Sequence, residues 1–200
     1  CRKTGADCLY DFDAIERIYE DRAEFPHTKA FSLDEEYSGE SIESKLTRIR
    51  KYMDNKNADV HIMATLDDIC WTFNIRGRDV ECNPVIMAYS VITKSNAYLY
   101  TDDDRFDDKT FAILEKAGVR IQPYDKLYDD IAGMSGNVLI DKKRVNMRIY
   151  KEVISAGNAE VVLADNPAML FKAVKNEIEI KNLYSVHVDD GVAVTKFIFW

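Results

Sequence analysis

Residues Asp107 to Pro123 read DDKTFAILEKAGVRIQP, and this short run decides the fold. A helix is expected near Asp107–Ala117. Gly118 stops it at the first position past the helix, where glycine enters the left-handed backbone without penalty. Val119–Pro123 then reads as a strand. Working outward, the alternation continues with a helix at Asp125–Ala132, a strand at Val138–Ile140, a helix near Asn146–Ala156 and a strand at Glu160–Leu163. On the other side, Ile86–Thr93 and Ala97–Thr101 read as two strands joined by Lys94-Ser95-Asn96, a short polar connector suited to a hairpin. Strands spaced by helical segments predict an α/β domain, a three-layer α/β/α arrangement with a mixed central sheet, because helices must cover both sheet faces.

Further upstream, Ile42, Leu46, Ile49 and Met53 recur at helical spacing, with Glu43, Lys45, Arg48 and Lys51 expected on the other face. Ser41 is the expected N-cap, and Glu43 suits the positive end of that helix. Asp59–Ala64 reads as a buried strand. Asp67 and Asp68 open a second helical run, Ile69–Phe73. Residues 1–32 read as tail and linker. Within them Asp13–Asp21 is expected as a short helix with Ile15, Ile18 and Tyr19 on one face, ended by Phe25-Pro26-His27. A last helix begins near Pro167, tolerated in a first turn, and runs broken or bent to Trp200. There is no internal repeat or low-complexity segment.

The chain has 200 residues, 27 basic and 35 acidic, for a net charge of −8. With 46% hydrophobic residues and only 8 Gly and 4 Pro it can bury a core. Its acidity disfavours nucleic acid and anionic membranes as partners. Apolar runs such as Val161–Leu163 and Phe197–Trp200 fall far short of the ~20 residues a membrane span needs. The opening residues carry charges throughout, unlike a secretory leader. Cys1, Cys8, Cys70 and Cys82 form no CxxC pair, Cys70 reads as a small buried hydrophobe, and no Asn-x-Ser/Thr sequon occurs. A cytoplasmic source is expected, with a Cys1/Cys8 or Cys70/Cys82 bridge left open. The Cys1 start and the apolar Phe-Ile-Phe-Trp end suggest a window of a longer protein.

The search for chemistry yields little. His27, His61 and His187 do not stand at ligand spacing. His187 with Asp190 could pair two ligands on one helix face, or be a surface or interface histidine. Asp102, Asp103, Asp104, Asp107 and Asp108 could hold a hard cation, though capping of the following helix is the stronger reading. No GxGxxG, P-loop, GxSxG or HExxH is present, and Gly133–Gly136 is a turn. One stretch is unusual: Leu66–Tyr89 reads LDDICWTFNIRGRDVECNPVIMAY. Asn74, Arg76, Asp79 and Asn83 bring hydrogen-bonding groups together after a helix end. They either line a cleft or satisfy buried backbone ends.

That stretch resembles the second domain of the three-domain Xaa-Pro aminopeptidases (aminopeptidase P) of the creatinase/prolidase superfamily, whose pattern is close to LDDIAWLFNIRGSDVPYNPVFxAY. Leu66, Asp67, Asp68, Ile69, Trp71, Phe73, Asn74, Ile75, Arg76, Gly77, Asp79, Val80, Asn83, Pro84, Val85, Ala88 and Tyr89 match it. Glu35–Ser41 with Lys45, Ile49 and Arg50 looks like the family's EEYAGES…K…IR, and Ile18–Arg22 resembles the IWxDRP that closes domain one. Lys172–Glu179, His187, Asp190-Gly191 and Val192–Trp200 look like the segment that begins the catalytic domain. Tyr19, Ala23, Cys70 and Asp189 depart from the common Trp, Pro, Ala and Arg.

The resemblance implies a parent metallopeptidase that removes the N-terminal residue ahead of a penultimate proline. Two metal ions, usually manganese, would be held by two Asp, one His and two Glu that lie beyond Trp200. It implies no catalytic or metal-binding residue in this segment and no cofactor of its own. His187 is not one of the family's ligands. The motif residues Asp67, Asp68, Trp71, Asn74, Arg76, Gly77, Asp79, Asn83 and Pro84 are the candidates for a cleft or interface. Expected organisation is residues 1–32 as tail of a preceding domain and linker, 33–173 as a creatinase/prolidase N-terminal-like domain two, and 174–200 as the start of a pita-bread catalytic domain. Expected partners are peptides with penultimate proline for the parent, the chain's own catalytic domain and a homo-oligomer. The alternative is a catalytically inactive peptidase-like protein-binding module, as in the large subunit of the histone chaperone FACT. A creatinase or prolidase fits less well, lacking the joined IYEDR…EEYSGES pattern. Phe197–Trp200 are expected to be covered by a neighbour or poorly ordered.

Overall fold

A computed structural model describes Ile15 and residues 18–200. In chain order the elements are β1 (Phe31–Ser32), α1 (Glu35–Ser38), α2 (Ile42–Asn55), β2 (Val60–Met63), α3 (Leu66–Thr72), β3 (Ile75–Arg76), β4 (Tyr89–Thr93) and β5 (Ala97–Tyr100). Then follow α4 (Asp108–Lys116), β6 (Val119–Gln122), α5 (Lys126–Ala132), β7 (Gly136–Ile140), α6 (Met147–Ser155), β8 (Ala159–Leu163), α7 (Pro167–Ala173) and α8 (Glu177–Phe199). Four of the nine residues of the helix expected over Asp13–Asp21 lie outside the described residues, as do Cys1 and Cys8. Ile15 and Tyr19 close a single turn, the Tyr19 N–H donating to the Ile15 carbonyl at 2.9 Å.

Six strands form one mixed sheet in the order β6-β5-β4-β2-β7-β8. The β4 strand runs against β2 and β5, while β2, β7 and β8 are parallel, as are β5 and β6. Alternation along the strands sends side chains to two cores. Met63, Ile92, Leu99 and Leu139 meet α2, α3, α4 and α7 on one face. Val60, Ile62, Val91, Val138 and Ile140 meet α5 and α6 on the other. β2 is buried on both faces, its one polar side chain, His61, included, and helices on either side make the domain a three-layer α/β/α sandwich. A separate two-stranded ladder joins β1 to β3.

Local chemistry explains the boundaries. Ser41 accepts from the Ser44 N–H, Asp107 from Thr110 and Asn146 from Ile149, each supplying a side-chain acceptor to an unpaired first-turn donor. Gly118 takes a left-handed φ of 74° directly after α4 and donates to the Glu115 carbonyl at 2.9 Å. The strand expected from Ile86 begins three residues later, at Tyr89. The Ile86 amide is turned onto the Cys70 sulfur at 3.5 Å and the Met87 amide onto the Asp79 carboxylate at 2.6 Å, so neither joins the ladder.

Cys70 is buried, Cys82 is exposed, and both are free thiols, which removes the bridge left open between them. The last helix is broken: Val174–Asn176 separate α7 from α8, and Asn176 restarts the chain with a reciprocal capping box to Glu179. No side chain of α8 is buried. Phe197, Ile198, Phe199 and Trp200 are 71%, 77%, 94% and 97% exposed.

Candidate functional site

The motif wraps around the two ends of α3. At its C-terminal end the last carbonyls lack helical partners. Lys45 reaches them. Its ammonium donates to the Trp71 carbonyl at 2.8 Å and to Asn74 Oδ1 at 2.5 Å, and lies 4.3 Å above the Trp71 ring. Lys45 was expected on the polar face of α2, but only 1% of it is exposed. Standing three residues after Ile42 and four before Ile49, it belongs to the buried stripe, and that spacing was the available signal. Burial pulls its pKa down to about 8, against the opposing effect of Glu40 and Glu179. Asn74 adopts a left-handed φ of 49° that turns the chain out of the helix. Its amide donates to the Glu40 carbonyl at 2.8 Å and its carbonyl accepts the Leu33 N–H at 2.6 Å.

At the N-terminal end stand Asp67 and Asp68. Asp68 is 1% exposed and accepts from the Thr65 hydroxyl at 2.7 Å and from the Asn166 amide at 2.8 Å. Its other oxygen is 2.7 Å from the Lys172 ammonium, which also bonds Asp67. Burial works against the Lys172 charge, yet the two carboxylates outweigh it and raise its pKa. Asn166 caps α7 through the Ala168 N–H at 3.1 Å and meets His61 Nε2 at the same distance. His61 Nδ1 faces the Leu139 carbonyl at 3.2 Å, and complete burial lowers its pKa. This paired aspartate is thus answered by a lysine, not left open to a cation. Among the described residues no three His, Cys, Asp or Glu stand close enough to hold a metal ion.

Beyond α3 the backbone turns at Arg76-Gly77. Arg76 donates through one nitrogen to the Cys70 and Ile75 carbonyls at 3.0 and 2.8 Å, and burial lowers its pKa. A Cβ on Gly77 would stand 2.2 Å from the Ile86 Cγ2, so the close approach of these two segments requires glycine. Asp79 is bound by four donors, the Thr28 N–H and hydroxyl, the Met87 N–H and Arg105. Asn83 and Pro84 sit on an exposed turn closed by the Asn83 N–H to the Val80 carbonyl at 3.1 Å. Trp71, Arg76 and Pro84 line one wall of a cleft of about 520 Å³, with Leu183 and Val186 of α8 opposite. The indole N–H of Trp71 is buried without a hydrogen-bond partner.

The nine motif residues therefore fall into separate neighbourhoods. The partners that organise them, Lys45, Arg105, Asn166 and Lys172, come from elsewhere in the chain, and for Arg105 and Asn166 no local pattern marks the role. The acidic run divides too: Asp107 caps α4, while Asp102 and Asp104 flank His27 at 3.2 and 3.0 Å. His187 is exposed on α8.

The sequence profile of the Creatinase/Prolidase N-terminal domain matches residues 21–179. The probable Xaa-Pro aminopeptidase P of Podospora anserina is 33% identical over 184 residues, covering 88% of this chain and 27% of that protein. Xaa-Pro aminopeptidase 1 of Dictyostelium discoideum is 31% identical over 183 residues, covering 90% of this chain and 28% of that protein. Among solved structures, the X-prolyl aminopeptidase from Caenorhabditis elegans, described as a cytosolic enzyme with a di-nuclear active site, superposes with a TM-score of 0.85 at 25% identity. It covers 94% of this chain and 32% of that one. The Xaa-Pro dipeptidase from Bacillus anthracis, with a TM-score of 0.51 at 18% identity over 70% of this chain and 38% of that one, shares the fold alone. The chain thus spans roughly a quarter to a third of the length of these aminopeptidase relatives.

Proposed function

This chain belongs to the creatinase/prolidase N-terminal domain family, and from that membership we propose that it is a non-catalytic segment of an Xaa-Pro aminopeptidase, acting in the cytoplasm. The parent removes the N-terminal residue ahead of a penultimate proline. The segment shapes access to the active site and carries contacts to its own catalytic domain and to other subunits. In this reading residues 1–32 are the tail of a preceding domain and linker, 33–173 domain two, and 174–200 the first part of the catalytic domain.

The observation that carries the proposal is α8. A helix of 23 residues with no buried side chain, bearing Ile178, Leu183, Val186, Val192 and Phe197 exposed around its circumference, has the surface of a helix made to be enclosed by further protein. Its attachment to domain two is polar: Asn176 bonds the Ser38 carbonyl at 2.8 Å, and Asn182 bonds those of Glu36 and Tyr37 at 3.3 and 3.2 Å. The motif's carboxylates do not fit the two metal ions of such an enzyme. Asp67 and Asp68 are bridged by Lys172, and Asp79 is paired with Arg105. Metal chemistry, with manganese the expected ion, belongs in this proposal to the catalytic domain.

The purified chain, given Mn²⁺ and a peptide with penultimate proline, is expected to release no N-terminal residue above a metal-only blank. Release that scales with protein concentration overturns the assignment of catalysis elsewhere.

A further inference from the structure

Residues 25–33 contain only the two-residue strand β1, yet they are tied down along their length. The Phe25 ring packs on Tyr124 with centroids 4.9 Å apart. His27 lies between Asp102 and Asp104, and Lys29 donates to the Asp104 carbonyl at 2.6 Å. The N–H of buried Ala30 reaches the Arg105 carbonyl at 2.9 Å, and that of Ser32 the Thr110 hydroxyl at 3.1 Å. A connector of the kind expected over residues 1–32 would ordinarily run loosely over the surface. Here every other amide from Thr28 to Ser32 donates to the α/β body.

At the centre of this attachment are Asp79 and Arg105, whose side chains are both 0% exposed. Asp79 Oδ1 accepts the Thr28 N–H and hydroxyl at 2.9 and 2.7 Å, and Oδ2 accepts the Met87 N–H at 2.6 Å and Arg105 at 2.5 Å. The guanidinium is divided likewise, its second nitrogen donating to the Pro26 carbonyl at 2.5 Å. Two charges removed from water are tolerated only where additional hydrogen bonds complete them. Three of those bonds come from Pro26 and Thr28. Lifting that segment would leave both buried charges short of partners, so the segment and the ion pair hold each other in place.

We propose that residues 25–33 form a rigid strap latched by the Asp79–Arg105 pair, an anchor that fixes the direction from which the chain preceding Phe25 meets the α/β body. The strap follows from this chain's own contacts and does not rest on the aminopeptidase reading.

Amide hydrogen exchange of the whole chain, read residue by residue by NMR, tests it. The Thr28 and Ala30 amides are expected to exchange about a hundredfold more slowly than unprotected peptide. Arg105→Lys, which keeps the charge but loses the fork, should accelerate both about tenfold while the β2–β7 ladder keeps its rates. Thr28→Ala leaves both charges paired and carries the same comparison if the arginine variant does not fold. It should accelerate the Ala30 amide several-fold. Exchange of Thr28 and Ala30 at the free-peptide rate in the parent chain, or acceleration spread evenly over strap and ladder in the variants, overturns the proposal.

Discussion

The Lys45 ammonium lies 4.3 Å over the ring of Trp71 and donates to that same residue's carbonyl at 2.8 Å, capping α3 with a charge taken from α2. Its pKa falls from 10.5 to about 8 through burial. The unfolded chain therefore binds more protons than the folded one between those values, and stability rises with pH across that window. The full difference corresponds to roughly 3 kcal/mol. Raised tyrosine pKa values, as at Tyr100 through burial and Asp130, act in the opposite sense above about pH 10. Burial also raises the Cys70 thiol from 9.0 to about 11, which acts in the opposite sense from about pH 9 upward. Denaturant midpoints measured from about pH 7.5 to 8.5 are thus expected to increase, and Lys45→Met should remove that rise.

Gly77 gives a packing prediction free of electrostatics. A methyl group there meets the Ile86 Cγ2 at 2.2 Å. Gly77→Ala is expected to destabilise the domain by about 1–3 kcal/mol, the usual cost of overpacking. Ile86→Ala removes the obstructing atom at its own cavity cost, so the double variant should be less destabilised than the sum of the singles. Additive losses in urea denaturation would show that the Gly77 position is not limited by Ile86.

How far these sites could be read beforehand depends on the range of the interaction that forms them. The α4–Gly118–β6 step is written in adjacent residues, and its cap, stop and strand stand where the local pattern puts them. Lys45 was legible by spacing, but a charged residue is expected on the wet face, and only the carbonyls of α3 explain its burial. The start of β4 lies three residues beyond where the local pattern puts it, because Ile86 and Met87 look like strand while their amides bond to side chains of Cys70 and Asp79. The Asp68–Asn166–Lys172 and Asp79–Arg105 contacts join residues 98, 104 and 26 positions apart. Hydrophobic periodicity reports which face of an element is buried, not which distant polar group will meet a buried charge.

Asp68 and Lys172 supply a test of such a contact. The carboxylate is 1% exposed and the lysine side chain 24%, with 2.7 Å between them. Removing the ammonium leaves a buried carboxylate with only the Thr65 and Asn166 donors. Lys172→Met is expected to cost about 3 kcal/mol, in the range for breaking a buried pair from one side. Asp68→Leu with Lys172→Met should recover part of that loss, and thermal unfolding of the single and double variants checks the order. A double variant less stable than Lys172→Met alone would mean that the Thr65 and Asn166 bonds, not the ion pair, dominate this site.

The exposed surface of α8 leads to a different kind of measurement. Phe199 and Trp200 are 94% and 97% exposed, and Phe197 and Ile198 extend the same apolar end. Contiguous apolar surface of this kind promotes association when nothing covers it. The isolated chain is expected to bind an apolar dye and to show sedimentation that depends on protein concentration. Phe197→Lys with Phe199→Glu should reduce both. Because these side chains contribute little buried area, the unfolding free energy should move by no more than about 0.5 kcal/mol. A larger loss would mean that the end of α8 packs onto the α/β body in solution, which would remove the ground for treating it as a helix awaiting enclosure by the catalytic domain.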